Sequence, residues 1–283
     1  MVSHGRTYFF PEHIVNRKGA VRAADIPEDV KQWLNEGVLT SVNLMEWLAV
    51  DHRVLVQHVL PQLELGHLVE SILQQINQLK EQKVMKVTPL IGKLLYETLR
   101  EVEDVQQRAM RMESIMEYGS DSVRCWGCYM VSSNIDLTLQ QKLEQIKRFA
   151  ADPHFGVREI AWMAVRDDIA RNLTSAIEIL SAWTKEEDAN VRRFAVEATR
   201  PCGVWTSHIQ SLKLQPELAL PLLEQVKSDP SKYVQDSVGN WLNDASKSRP
   251  EWVREVCEQW IQASDSKETA KIVKRATRTL LKK

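Results

Sequence analysis

DSVRCWGCYMV at residues 121–131, HFGVREIAWMAV at 154–165 and ANVRRFAVEAT at 189–199 are three versions of one segment, and a looser fourth, KYVQDSVGNWL, occupies 232–242. Val123, Val157 and Val191 stand 34 residues apart, each followed at once by an arginine (Arg124, Arg158, Arg192), and the fourth copy starts its core at Val234. A fixed period in the thirties with helix-like apolar spacing predicts stacked two-helix units rather than a single compact core. Second helices are expected in LQQKLEQIKRFAA, NLTSAIEILSAWTK, PELALPLLEQVKS and EWVREVCEQWIQA, and SKETAKIVKRATRTLLKK reads as a closing half-repeat with a basic end. Short turns at Ser120-Asp121, Asp152-Pro153, Asp188 and Asp229-Pro230 supply side chains able to cap the helix that follows. An insertion, RPCGVWTSHIQSLKLQ at 200–215, widens the last spacing to 43 residues, and such insertions emerge as loops on one face.

Upstream of the repeats, residues 1–27 read as an irregular segment punctuated by Pro11, Gly19 and Pro27, and residues 28–117 as an N-terminal helical part. Pro27-Glu28-Asp29 suits a first helical turn. Breaks are expected near Gly37 and Pro61, and two long amphipathic helices at 62–85 and 89–117, parted by Thr88-Pro89. Period-two alternation is almost missing, so the predicted fold is all-α: a HEAT-like helical-repeat solenoid, a curved α-α superhelix whose repeats fill 118–283.

Composition bounds the function. Hydrophobic residues make up 43% of the chain and charged ones 27%, as in ordinary globular proteins, and no apolar run is long enough to span a bilayer. The N-terminus does not read as a secretory signal, which predicts a cytoplasmic protein, taken as a monomer. A formal net charge of −1 means that any anion must be bound by local clustering. Cys125 and Cys128 form a C-x-x-C inside a helical repeat with no second ligand pair, so they read as core residues; no metal and no cofactor is expected. His52, His58 and His67 are not spaced as ligands, and Trp33, Trp47, Trp183, Trp252 and Trp260 fall at apolar helix positions.

Counting from each valine, positions +1, +5 and +9 share one helix stripe. The stripe reads Arg124, Cys128, Ser132; then Arg158, Trp162, Arg166; then Arg192, Val196, Arg200; then Gln235, Gly239, Asn243. Four arginines at matching heights, with Arg193, Lys232 and Lys247 nearby, predict a basic concave groove that grips phosphates, with Trp162 as an aromatic face. The alternative is that these arginines pair with Glu159, Asp167, Asp168, Glu197 and Asp236 and link neighbouring units. The basic run from Lys267 to Lys283 reads as a solvated helix that could graze phosphates.

DPHFGVREIAWMAVR, NVRRFAVEATRPCGVW and DPSKYVQDSVGNWLNDASKSRPEWV resemble the HEAT-like bacterial DNA alkylation-repair family, the AlkC and AlkD group of alkylpurine glycosylases. The double arginine, Glu-x-x-Arg-Pro and Trp205 carry the likeness, which covers roughly residues 120–260. It implies double-stranded DNA as partner and metal-free cleavage of the N-glycosidic bond of cationic alkylated purines, which are already good leaving groups. The protein then needs only to hold the duplex and stabilise positive charge on the sugar. The likeness fits Arg158, Arg192, Arg193 and Arg200 as groove residues, with Arg124, Arg166, Lys232, Asn240, Asn243 and Lys247 added as DNA-binding candidates, and Glu159 with Trp162 as candidates for the chemistry. The chain departs from the family at His154, where AlkC-like members have an acid, and at Asn240, where AlkD-like members have a pocket tryptophan. A relative that binds without excising, and a protein-binding scaffold, remain the other readings.

Overall fold

The computed structural model describes residues 2–3, 6–7 and 9–282; Met1, His4, Gly5 and Tyr8 of the N-terminal segment and Lys283 of the basic tail lie outside the described residues. Among the described residues the only strands are two two-residue pieces, β1 (Val2–Ser3) and β2 (Arg6–Thr7), paired antiparallel. Everything else regular is helical, and the fold is the HEAT-like helical-repeat solenoid expected from the period. Two compact units divide the chain, Met1–Asp136 with His154–Ala161, and Leu137–Pro153 with Trp162–Lys283.

The first unit holds α1 (Glu12–Val15), α2 (Glu28–Asn35), α3 (Leu44–Ala49), α4 (His52–Gln62), α5 (Val69–Asn77), α6 (Val84–Leu99), α7 (Val105–Met116) and α8 (Asp121–Ser133). Side chains start several of them: Asn43 accepts from the Glu46 N–H, Asp51 from Arg53 and Val54, and Asp104 from Gln107. Asp104 is why the stretch 89–117, expected as one helix, is two. Residues 100–104 interrupt it and Asp104 caps α7 afresh. Thr88-Pro89 does not break the chain as expected, because Pro89 sits inside α6. A proline there costs roughly 3 kcal/mol; burial of Val87, Ile91 and Leu95 in the unit's core outweighs it. Helices α6 and α8 approach so closely that a Cβ on Gly92 would lie 2.5 Å from the Trp126 carbonyl oxygen.

His52 lies fully inside this core, where its Nδ1 accepts from the Trp126 Nε1–H at 3.0 Å. Its Nε2 has no hydrogen-bond partner among the described residues. Burial pushes its pKa down to about 4 against the nearby charge of Asp51. The folded value lies below the unfolded one, so the native state resists protonation. Stability is intact above about pH 6.5 and falls as pH drops towards 4. A loss of about 3 kcal/mol over that window is expected from His52. His52→Asn, which keeps an acceptor near Nδ1, should flatten the pH dependence measured by urea unfolding.

The second unit contains α9 (Leu139–Ala150), most of α10 (Phe155–Arg171), α11 (Leu173–Trp183), α12 (Ala189–Ala198), α13 (Gln210–Leu214), α14 (Leu220–Glu224), α15 (Lys232–Ala245), α16 (Pro250–Ala263) and α17 (Lys267–Ala276). A capping box between Thr138 and Gln141 opens α9, Asp188 caps α12 through the Asn190 N–H, and Ser266 opens α17. The repeat valines Val191 and Val234 are buried one turn into their helices with Phe194, Ala195, Val238 and Trp241, which is why the period is legible. Cys125 and Cys128 are buried thiols of α8, as expected of core residues. No helix among the described residues is long and apolar enough to cross a membrane.

Candidate nucleic-acid interface

The valine-plus-one position has one local task. Arg124 Nη1 donates to the carbonyl oxygens of Tyr118 (2.8 Å) and Gly119 (3.0 Å), six and five residues upstream. Arg192 Nη1 makes the same pair of bonds to Glu186 and Glu187, both at 2.8 Å. In the fourth repeat Gln235 Nε2 reaches Asp229 at 2.8 Å and Pro230 at 3.3 Å, again six and five back. These carbonyls belong to the turn before each helix and would otherwise lack partners. Gln235 does the job without charge, so the position calls for a donor rather than a cation.

The rest of the second unit's arginine stripe is spent internally. Arg192 also grips Asp229 through Nε (2.6 Å) and Nη2 (3.1 Å), one repeat further on. The hydrogen bond to Asp229 raises its pKa despite partial burial. Arg200 holds Asp244 at 2.9 and 2.6 Å and Glu197 at 3.1 Å, and Lys247 reaches Asp244 at 2.8 Å. Arg193 lies over the Tyr233 ring, 4.2 Å from its centroid, and within 3.5 Å of Glu197.

Several of the sequence-derived residues lie away from solvent. Arg166, 1% exposed, donates to the carbonyl oxygens of Ser207, Ala198 and Arg200, and so anchors a loop. Burial lowers its pKa to about 10, with the Arg200 charge acting in the same direction. Trp162 is buried against that guanidinium, which lies 5.7 Å from its ring, and offers no open face to a base. Asn243 is buried, donating to Ala276 and Thr279, and Arg193 is buried as well. Arg192 and Arg200 serve the joints between repeats. In the first unit Arg124 and Arg158 are half-buried, as is Glu159, while His154 holds the Ser41 carbonyl at 2.7 Å.

Three sequence-derived positions do reach the surface of the second unit: Lys232, Lys247 and, half-buried, Asn240. Lys232 and Asn240 stand on α15, where Asn240 Oδ1 accepts from Arg278 Nη1 at 2.9 Å. The insertion adds a feature that the sequence reading placed on one face without ranking it. Residues 201–209 form a compact loop closed by the Ile209 N–H on the Pro201 carbonyl (3.0 Å) and by the Gly203 N–H on His208 Nδ1 (3.2 Å). Arg166 ties its base down. Trp205 stands on this loop with φ +61° and 53% of its surface in solvent, beside the exposed Val204. A bulky residue in the left-handed region costs of order 1–3 kcal/mol.

Residues 156–280 match the family model described as DNA alkylation repair enzyme. A protein of Bacillus subtilis, YhaZ, itself uncharacterized, is 39% identical over 140 residues, half of this chain and 38% of YhaZ. Among solved structures, the alkylpurine DNA glycosylase AlkC of Pseudomonas fluorescens, bound to DNA containing an abasic site analog, superposes with a TM-score of 0.66. Identity to it is 22%, over 93% of this chain and 66% of that one. AlkD2 of Streptococcus mutans gives 0.55 at 22% identity, over 74% of this chain and 97% of its own. At these identities the structural likenesses establish a shared fold, and the chain spans well under half of YhaZ and just under two thirds of AlkC.

Proposed function

Because residues 156–280 match the family model described as DNA alkylation repair enzyme, we propose that the chain binds DNA and holds an alkylated, positively charged purine against the indole of Trp205. The observation that carries this reading is the Trp205 loop. It is tightly closed, fixed at its base by a buried arginine, and presents a half-exposed indole on a strained backbone. Aromatic faces attract cations, and stacking on a base contributes about 1–3 kcal/mol. A cationic purine satisfies both terms at once, whereas an unmodified base gains only the second.

Geometry supports the binding half of the reaction more than the chemical half. The buried carboxylates of the repeat stripe, Asp229, Glu197 and Asp244, are all engaged in ion pairs. Excision would have to draw on a different acid or rely on the leaving ability of the charged base.

Trp205→Asn is the decisive variant, since asparagine tolerates a positive φ and removes the indole without forcing the backbone. Fluorescence polarisation with duplexes carrying 7-methylguanine should show about ten- to a hundredfold weaker binding than wild type. Its thermal midpoint should be unchanged or higher, since the strain is relieved. Equal affinity of both proteins for the alkylated duplex removes the assignment of Trp205. The same samples, assayed for free 7-methylguanine, show whether binding leads to excision.

A further inference from the structure

Lys271, Lys274 and Arg275 of α17 share one helical stripe, and Arg278 stands in the turn that follows the helix, lining the same cleft. That stripe faces α15 across a cleft of about 550 Å³ whose other wall includes Lys232, Gln235 and Asp236. Close approach of the two helices is built in. Gly239 of α15 has no side chain, and a Cβ there would lie 2.8 Å from both Cβ and Cδ of Arg275. The arginine stem therefore runs across bare backbone and its head is delivered into the cleft. Five cations line this space, and one carboxylate, Asp236, takes two of them: Lys232 at 2.5 Å and Arg275 at 2.6 Å. Lys232, Lys271, Lys274 and Arg278 are exposed.

A whole-chain charge near zero does not call for such a concentration, and among the described residues Asp236 and Asn240 engage three of the five cations. Ion pairs at this exposure contribute little to stability. What the arrangement offers is a long positive wall with charges one helical turn apart and a single internal counter-ion. We propose that the α15–α17 cleft is a binding site for consecutive backbone phosphates of duplex DNA, separate from the Trp205 loop. The inference rests on the reading of the protein as DNA-binding and names a site for the sequence-independent part of that affinity. Asp236 acts as a placeholder: it keeps Lys232 and Arg275 ordered in the free protein and competes with the incoming phosphate.

This role makes two opposite demands that structural ion pairing would not. Removing exposed cations weakens binding, and removing the carboxylate strengthens it. In polarisation titrations of the full chain on an unmodified 20-base-pair duplex, Lys271→Ala/Lys274→Ala is expected to bind about fiftyfold more weakly near 0.1 M salt. The slope of log affinity against log salt should fall by roughly two, because each lost phosphate contact removes about 0.9. Asp236→Asn should bind several-fold more tightly, while both variants keep the wild-type thermal midpoint within a few degrees.

Wild-type binding that is unaffected by either substitution overturns the site and leaves the DNA-binding reading in place. A wild-type chain without DNA affinity at 0.1 M salt overturns both. Equal competition by millimolar inorganic phosphate and by matched nucleotide concentrations of duplex would make the site a pocket for a single free phosphate, and would overturn the backbone assignment.

Discussion

Asp244→Leu is expected to lower the free energy of unfolding by about 3–5 kcal/mol, the cost of leaving a buried partner charge uncompensated. Asp244 is 3% exposed and holds Arg200 at 2.6 and 2.9 Å with Lys247 at 2.8 Å. Burial alone would pull the Arg200 pKa down, but Glu197 and Asp244 outweigh it and raise it. Without Asp244 the guanidinium keeps only Glu197, whose other oxygen already accepts from Ser237 at 2.8 Å. A double variant, Arg200→Met with Asp244→Leu, should recover most of the loss, because an apolar pair of similar volume avoids desolvating two charges. Urea denaturation of the two singles and the double closes the cycle. A single-variant loss below about 1 kcal/mol would mean that the network is ornamental.

Arg166→Met should cost a comparable amount, roughly 3–5 kcal/mol, by a different route. Its guanidinium meets three backbone carbonyls, and each buried acceptor left without a donor costs about 1–3 kcal/mol. Those carbonyls sit at the end of α12 and in the 201–209 loop, so the damage should be local. Limited proteolysis is expected to cut near Trp205 in the variant at protease levels that leave wild type intact. Arg166→Lys should not rescue it, since a point-like ammonium cannot serve three divergent acceptors with one planar fork. Unchanged cleavage in the methionine variant would show that the loop holds itself.

How much of this was readable in the chain differs by range. The period, the helix starts and the core valines were legible because each is a local pattern repeated in register. The stripe of arginines was legible as a stripe, but its occupants were not. Sequence proximity points to Glu197, which does pair with Arg200. Asp229 instead lies 37 residues from Arg192, and Asp244 lies 44 from Arg200, each one repeat away. Stacking brings that partner alongside, and only coordinates show that it does. The three-four spacing of Lys271, Lys274, Arg275 and Arg278 was visible, yet a basic amphipathic end reads first as a solvated helix until a facing wall is known. Trp205 was part of the family likeness, but its left-handed backbone has no signature in the letters around it. Pro89 erred the other way. Its local rule was right, and burial overrode it.

The uncharged Gln235 at the stapling position has a consequence for how such arrays diversify. If the turns that open successive helices require only hydrogen-bond donors, the electric field a solenoid projects can be rewritten at those positions without loosening the turns. Glutamine at Arg124 offers a route to lower background charge while keeping the turn bonds, whereas at Arg192 it would strip buried Asp229 of its ion pair.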